Sequence, residues 1–492
     1  MKTVEIKVDE IKSICSKHRI DLDHFWSNLC RNINFELISQ QAGRVKRSGV
    51  KVPILFQLSL LFPLIAVGSV RSFLSGSFAR LFQNEKSAFY RFAQDSFFDW
   101  RKVYYALSRQ LRRQDLKAGN DSDRPTALII DDSTIRKSGR AIEGISMVYD
   151  HVVHKSVTGF QLLGLSWFNG MYSHFIDFSL VAEKKLKRKS KKKGFFKKRD
   201  SNSAGRVRKR ELKKDKLTLT CEMLNRAVKQ GFIPDFVLCD TWFTCAQIIN
   251  YVRGLNKGTI HFLGMIKNGK RKFDFKGQEL TLKQLRGVGA EKRCTRFKSR
   301  YVIIDCHLKN VGEVRVIFSR FHGNKKWVAL ITTDKGMSYI KAVETYAIRW
   351  NIEVGFKEAK QLLGLGKCQA SDFDSQIAHT TSVLMAHALM VNSKFHEQWR
   401  STGELFSHVD SQFRQLLTVE KLLLWFEELM VSLAEQLGGS DVVTIGELLK
   451  SEPYEFFKRM LNQSLLFGEP NAISPRSNGN QLVTAHKLAN VS

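Results

Sequence analysis

The chain has 492 residues, 43% of them hydrophobic, and 79 Lys plus Arg against 47 Asp plus Glu give a formal net charge of +32. At about 150 residues per domain this predicts about three domains with a sizeable core, and the apolar fraction with only 7 prolines excludes a mostly disordered or collagen-like polymer. Such an excess of positive charge selects a polyanionic partner, above all nucleic acid.

Along the chain, residues 1–115 read as helical, with apolar residues at helical spacing over Ile11–Ile20 and Ser87–Leu111. The N-terminus, MKTVEIKVDEIKSICSKHR, has no apolar core, so no signal peptide is expected. Val52–Val70 is apolar over about the length of a membrane span. It contains Gln57, Ser59, two prolines and Gly68, and is therefore read as a buried helical pair, with no membrane partner. The first strand is Ala127–Asp131, followed by extended runs at 144–153, 158–168 and 175–181 that predict an antiparallel meander.

From Lys184 to Lys216 there are 18 Lys or Arg and 3 acids, a net of +15, and this segment is expected to stay mobile until an anion neutralises it. A helix (217–230), a short buried strand (236–240), a helix (246–253) and a strand (259–266) follow. Residues 267–333 are β-rich. A long helix is predicted over Ser338–Leu363, more helices to about 465, and a disordered tail over 471–492. The eight cysteines (Cys15, Cys30, Cys221, Cys239, Cys245, Cys294, Cys306, Cys368) form no CxxC pair, which excludes a zinc ribbon or disulfide framework and predicts a reduced, cytoplasmic protein.

Two aspartates close short apolar strands, Asp132 after Asp131 and Asp240 after Phe-Val-Leu-Cys. Carboxylates at the ends of adjacent strands can hold hard divalent cations; each could equally cap a turn. On the helix from Ser338, Tyr346, Arg349, Glu353 and Lys360 fall in a stripe about 60° wide between two apolar flanks, opposite an expected solvent face of Glu344, Asn351, Gly355 and Glu358. Charges there need partners or a function. An i,i+4 pair of Arg349 with Glu353 explains two of them but not Tyr346 or Lys360.

The spacing Tyr346-x2-Arg349-x3-Glu353-x6-Lys360 resembles the Y-x2-R-x3-E-x6-K signature of bacterial DDE transposases of the insertion-sequence-four superfamily, and the order of the preceding strand-end aspartates and β insertion agrees over about residues 125–370. The resemblance implies an α/β fold: an RNase H-like catalytic core (116–266 and 334–400, with a basic arm at 184–216), a mostly β insertion (267–333), and flanking helical regions, 1–115 for binding transposon ends and 401–470 for dimerisation. It implies that Asp132, Asp240 and Glu353 bind two Mg²⁺ ions, with Mn²⁺ as substitute. Asp132 is preferred to Asp131 because the family places the catalytic Asp directly before Ser or Thr; strand alternation lets only one of the two face the site.

By the same resemblance Arg349 and Lys360 grip phosphate. Tyr346 contacts phosphate or base, and Lys357 binds DNA. Trp327 stacks where a base is extruded, or else fills the insertion core. Lys137, Arg140 and, in the basic arm, Arg188, Lys192 and Arg199 are expected on the DNA backbone. His151 and His154 have no companions at metal spacing and are read as strand residues. The implied partners are double-stranded DNA, as terminal inverted repeats and target, and a second copy of the chain, with no nucleotide cofactor. Two alternatives keep the charge but not the strand joining: a stand-alone RNase H-like nuclease and a non-catalytic basic DNA-binding protein.

Overall fold

The computed structural model describes residues 33–44, 49–65, 86–117, 123–185, 195–269 and 271–411. The chain divides into two units, one of residues 1–34, 46–92 and 393–476 and one of residues 35–45, 93–392 and 477–492. In the first, the apolar run begins as a helix over Val52–Leu61 with proline in its first turn and passes into a 3₁₀ turn, Phe62–Leu64, at Pro63. Residues 66–70 of that run lie outside the described residues. Among the described residues no helix is long and apolar enough to cross a membrane.

The second unit is built on one thirteen-stranded sheet. Its strands are β1 (Ala127–Arg136), β2 (Ser146–Asp150), β3 (Lys155–Phe168), β4 (Ser173–Val181), β5 (Lys184–Lys185), β6 (Phe236–Cys239) and β7 (His261–Ile266). They continue with β8 (Lys272–Phe275), β9 (Gln278–Thr281), β10 (Lys292–Cys294), β11 (Ser299–Leu308), β12 (Gly312–Phe321) and β13 (Val328–Thr332). The order is β5-β2-β3-β1-β6-β7-β13-β12-β11-β8-β9, with β4 on β3 and β10 on β11. Strands β1 and β3 run antiparallel, whereas β1, β6 and β7 run parallel. This mixed α/β arrangement is that of an RNase H-like core. The β-rich region after residue 267 is continuous with it, because β13 pairs antiparallel with β7 from Ala329↔Ile266 to Thr332↔Leu263.

Helices cover both faces. On one, Leu128 and Ile130 of β1 with Val237 and Cys239 of β6 pack against α1 (Lys216–Lys229) and α2 (Ala246–Gly254) through Leu219, Leu224, Ile248 and Val252. On the other lies the predicted long helix, which is two: α3 (Tyr339–Ala347) and α4 (Trp350–Gln361). Between them Ile348 and Arg349 donate their amides three residues back, to Thr345 and Tyr346, a 3₁₀-like tightening that resets the helical phase within the signature. The face of α4 expected to meet solvent is instead covered by α5 (Phe373–His396): Gly355 is buried and His387 Nε2 lies 2.9 Å from Glu358 Oε2.

Two glycines let α4 approach the sheet. A Cβ on Gly164, the β3 residue level with Asp131, would come within 2.8 Å of Phe356, and one on Gly355 within 2.9 Å of Phe175. Gly164→Ala must displace the Phe356 and Phe175 rings, an overpacking expected to cost about 1–3 kcal/mol, readable by denaturant titration; an unchanged midpoint would show that the rings yield freely.

Of the basic segment, the described residues are folded: Lys184–Lys185 form β5, paired with β2, and residues 195–216 follow. A helix over Ala204–Glu211 is capped by Ser203, and α1 is capped by Asp215. Arg199, expected on DNA, is 6% exposed. Its guanidinium pairs with Glu143 at 2.6 Å and with Asp374 at 3.0 Å, while Arg208 pairs with Glu211 at 3.1 Å. For Arg199 the neutralising charge comes from acids outside the segment, which local composition does not reveal.

Candidate active site

Alternation along β1 decides which side chain meets α4. Even-numbered Leu128 and Ile130 enter the α1–α2 core, so Asp132 follows them, while Asp131 and Ser133 face α4. Register ends with Ile130 opposite Cys239, which sets Asp131 level with Asp240 on the neighbouring parallel strand. Asp131 Oδ2 accepts from Arg349 Nη1 at 3.1 Å, and Arg349 Nη2 donates to Glu353 Oε1 at 2.5 Å. The Arg349–Glu353 pair therefore exists, and it reaches on to Asp131. About two helical turns further along, Lys360 Nζ donates to Ser133 Oγ at 2.7 Å.

The side chain of Asp132, the expected ligand, lies on the opposite face. Its Oδ2 accepts from Gln161 Nε2 and stands 3.3 Å from Lys216 Nζ. Of the two neighbouring aspartates it is therefore Asp131, and not the expected Asp132, that meets Arg349 in this structure. Asp240 Oδ1 accepts the amides of Trp242 (2.9 Å) and Phe243 (3.1 Å), so this carboxylate also shapes the turn that leaves β6.

Burial, with Asp240 and Asp132 nearby, pushes the Asp131 carboxyl up to about 8 against the opposing pull of Arg349. Burial lowers the affinity of Arg349 for its proton, but Tyr346, Asp131 and Glu353 outweigh it and hold the guanidinium above its ordinary range. Burial also raises the Tyr346 phenol. The Arg349 guanidinium is 5.7 Å from that ring's centroid, and Tyr346 is 3% exposed. Tyr346, expected on DNA, is thus buried beside Arg349, and Arg349 is engaged with carboxylates in this conformation.

The remaining expected contacts divide. Lys357 and Arg140 are exposed. Lys137 is not a surface cation: it donates to the Gly366 and Cys368 carbonyls at 2.7 Å each, and burial brings its ammonium down to about 8. Burial also lowers Lys360. Trp327 is half-buried, with the guanidiniums of Arg286 and Arg320 each 5.0 Å from its ring centroid. His151 and His154 lie in the turn between β2 and β3, outside either strand. Arg188 and Lys192 lie outside the described residues. Two residues that sequence reasoning did not single out at the site are Lys216 and Trp242, whose ammonium and ring centroid are 4.1 Å apart. The one available signal was a Trp in the turn directly after a strand-end Asp.

Among the described residues no three His, Cys, Asp or Glu side chains converge as a ready metal cage; Arg349 bridges Asp131 to Glu353, and Asp240 engages its own turn. The donor chemistry nevertheless suits a hard divalent cation. All three candidates are carboxylates, and the crowding that raises Asp131 is an excess of like charge that a dication relieves.

Residues 74–275 match the family model described as DDE superfamily endonuclease, and residues 179–389 match the one described as transposase DDE domain. The first range contains Asp131 and Asp240, the second Asp240 and Glu353. No curated protein matches the chain. The two matches support a DDE transposase or endonuclease, a nuclease-type enzyme of a superfamily that generally uses divalent metals.

Proposed function

We propose that this chain is a DNA transposase of the insertion-sequence-four kind, which cleaves the terminal inverted repeats of a mobile element and joins the 3′ ends to target DNA. It would use Mg²⁺, with Mn²⁺ as substitute, and act in the cytoplasm as a homodimer that pairs two ends. One observation carries the reading: Asp131, midway along β1, stands level with Asp240 just past the end of the adjacent parallel strand β6, and Arg349 links Asp131 to Glu353.

Asp131, Asp240 and Glu353 are the residues that would hold two divalent cations. When bound, such ions activate the attacking oxygen and stabilise the leaving one in an in-line displacement. The protein's own groups orient the DNA. Arg349 offers a guanidinium fork beside the carboxylates, suited to two oxygens of a phosphodiester, and Tyr346 is buried beside it. Lys360 is anchored on Ser133, and the exposed Lys357 and Arg140 contact the backbone. Trp327, flanked by Arg286 and Arg320, presents an aromatic surface for an extruded base.

The test is a plasmid carrying the DNA that flanks the coding sequence on both sides, incubated with the protein and Mg²⁺. Nicked, then excised, then joined products are expected. Glu353→Gln keeps an acceptor for Arg349 but removes the charge, so it should lose cleavage while binding the ends almost as wild type; loss of both would make Glu353 structural. Cleavage without joined product would favour the stand-alone nuclease, in line with the endonuclease match over residues 74–275. Binding without cleavage in either Mg²⁺ or Mn²⁺ would leave only a DNA-binding protein.

A further inference from the structure

Trp242 follows Asp240 by two residues and is 48% exposed. Single exposed aromatics are ordinary, but this one is held in place. Its amide donates to Asp240 Oδ1. Phe243 meets its ring edge-on, with centroids 4.7 Å apart and planes at 72°. The Lys216 ammonium lies 4.1 Å from the ring centroid; Lys216 is held at 3.3 Å by Asp132, and Asp132 by Gln161. Polar contacts thus place a cation over the ring of an indole that stays about half exposed.

The occupant follows from charge. Asp132 neutralises Lys216, so the ammonium over the ring is not free to anchor a phosphate. What suits a fixed, half-exposed indole beside a phosphodiester-cleaving site is the flat face of an unpaired base.

We propose that Trp242 is a stacking platform for an unpaired nucleobase next to the phosphodiester being cut, with Lys216 and Asp132 as its positioning residues. The proposal rests on the DNA-cleaving reading above, and it gives Asp132 a role that is not metal binding.

The experiment uses the full chain without divalent ions, a single-stranded thymidine dodecamer carrying one 2-aminopurine, and a blunt duplex of the same length. Wild type should bind the single strand with quenching of the 2-aminopurine. Trp242→Ala should weaken single-strand binding by about 5- to 100-fold and lose the quench, with duplex affinity within about two-fold. Trp242→Phe should keep most of both. Lys216→Met should retain binding but reduce the quench, because the ring loses its fixed orientation.

Unchanged quenching in Trp242→Ala, an equal loss of single-strand and duplex binding, or a wild type that shows no quench would each overturn the platform. Should the Ala variant fail to fold by circular dichroism, the wild-type and Phe signals decide. Plasmid cleavage by wild type is scored separately. Cleavage with unaltered Trp242→Ala binding removes the platform and keeps the function, whereas a Trp242-dependent quench without cleavage does the reverse.

Discussion

Asp131→Asn is expected to remove DNA cleavage, by well over the roughly 10- to 100-fold that loss of an outer-shell partner costs, whereas Asp132→Asn should stay within that range. The two residues are adjacent and chemically identical, so only their faces distinguish them. Asp131 meets Arg349 and stands level with Asp240, while Asp132 is bound to Gln161 and Lys216 across the sheet. Single-turnover cleavage of the end-bearing plasmid by the two variants is the measurement. Unfolding is not expected to confuse it: burial already pushes the Asp131 carboxyl up to about 8, so the neutral Asn removes a charge the fold disfavours, and melting curves should not fall. Full activity in Asp131→Asn together with loss in Asp132→Asn would reverse the assignment.

Arg199→Met should destabilise the second unit by about 3–5 kcal/mol, the cost of removing one member of a buried ion cluster. The guanidinium satisfies Glu143 and Asp374 and lies 3.5 Å from Asp372; without it the cations left beside the three buried acids, among the described residues, are Lys197 and Lys209. Denaturant unfolding measures the loss. An independent signature lies in pH. Burial works against the Glu143 charge, but Arg199, Lys209 and the Phe373 amide outweigh it, and its carboxyl sits below the ordinary value of 4.5. A depressed carboxyl contributes stability that is present above its unfolded value and lost as pH falls through its folded value. The wild type should therefore lose stability on acidification below about 4.5, and Arg199→Met should show a shallower acid slope. The salt dependence of DNA binding should not change, since a buried guanidinium releases no counterions; a flatter salt slope would return Arg199 to the DNA surface.

Much of the architecture was legible from local pattern. Period-two and period-3.6 apolar spacing depends on a residue's near neighbours alone, which is why strands over 127–131 and 236–240, the helix over 217–230 and the α/β class could be read directly, although the first strand runs on to Arg136. The spacing of Tyr346, Arg349, Glu353 and Lys360 between apolar flanks likewise marked α3 and α4 as a place where charge is enclosed. The 3₁₀ joint at Ile348–Arg349 did not show, because a tightening of two residues leaves no compositional trace.

By itself, then, the chain's order of residues determined the class of fold, the acids that the strands carry, and a charge that seeks a polyanion. The tertiary structure decided which of two neighbouring aspartates faces Arg349, because a strand's two faces are equivalent until helices cover them, and Gly164 and Gly355 admit α4 to one face only. It also decided how Arg199 of the basic segment is neutralised. Glu143 lies 56 residues before Arg199 and Asp374 lies 175 after it, and Coulomb attraction acts through space, so no local count of charges could find those partners.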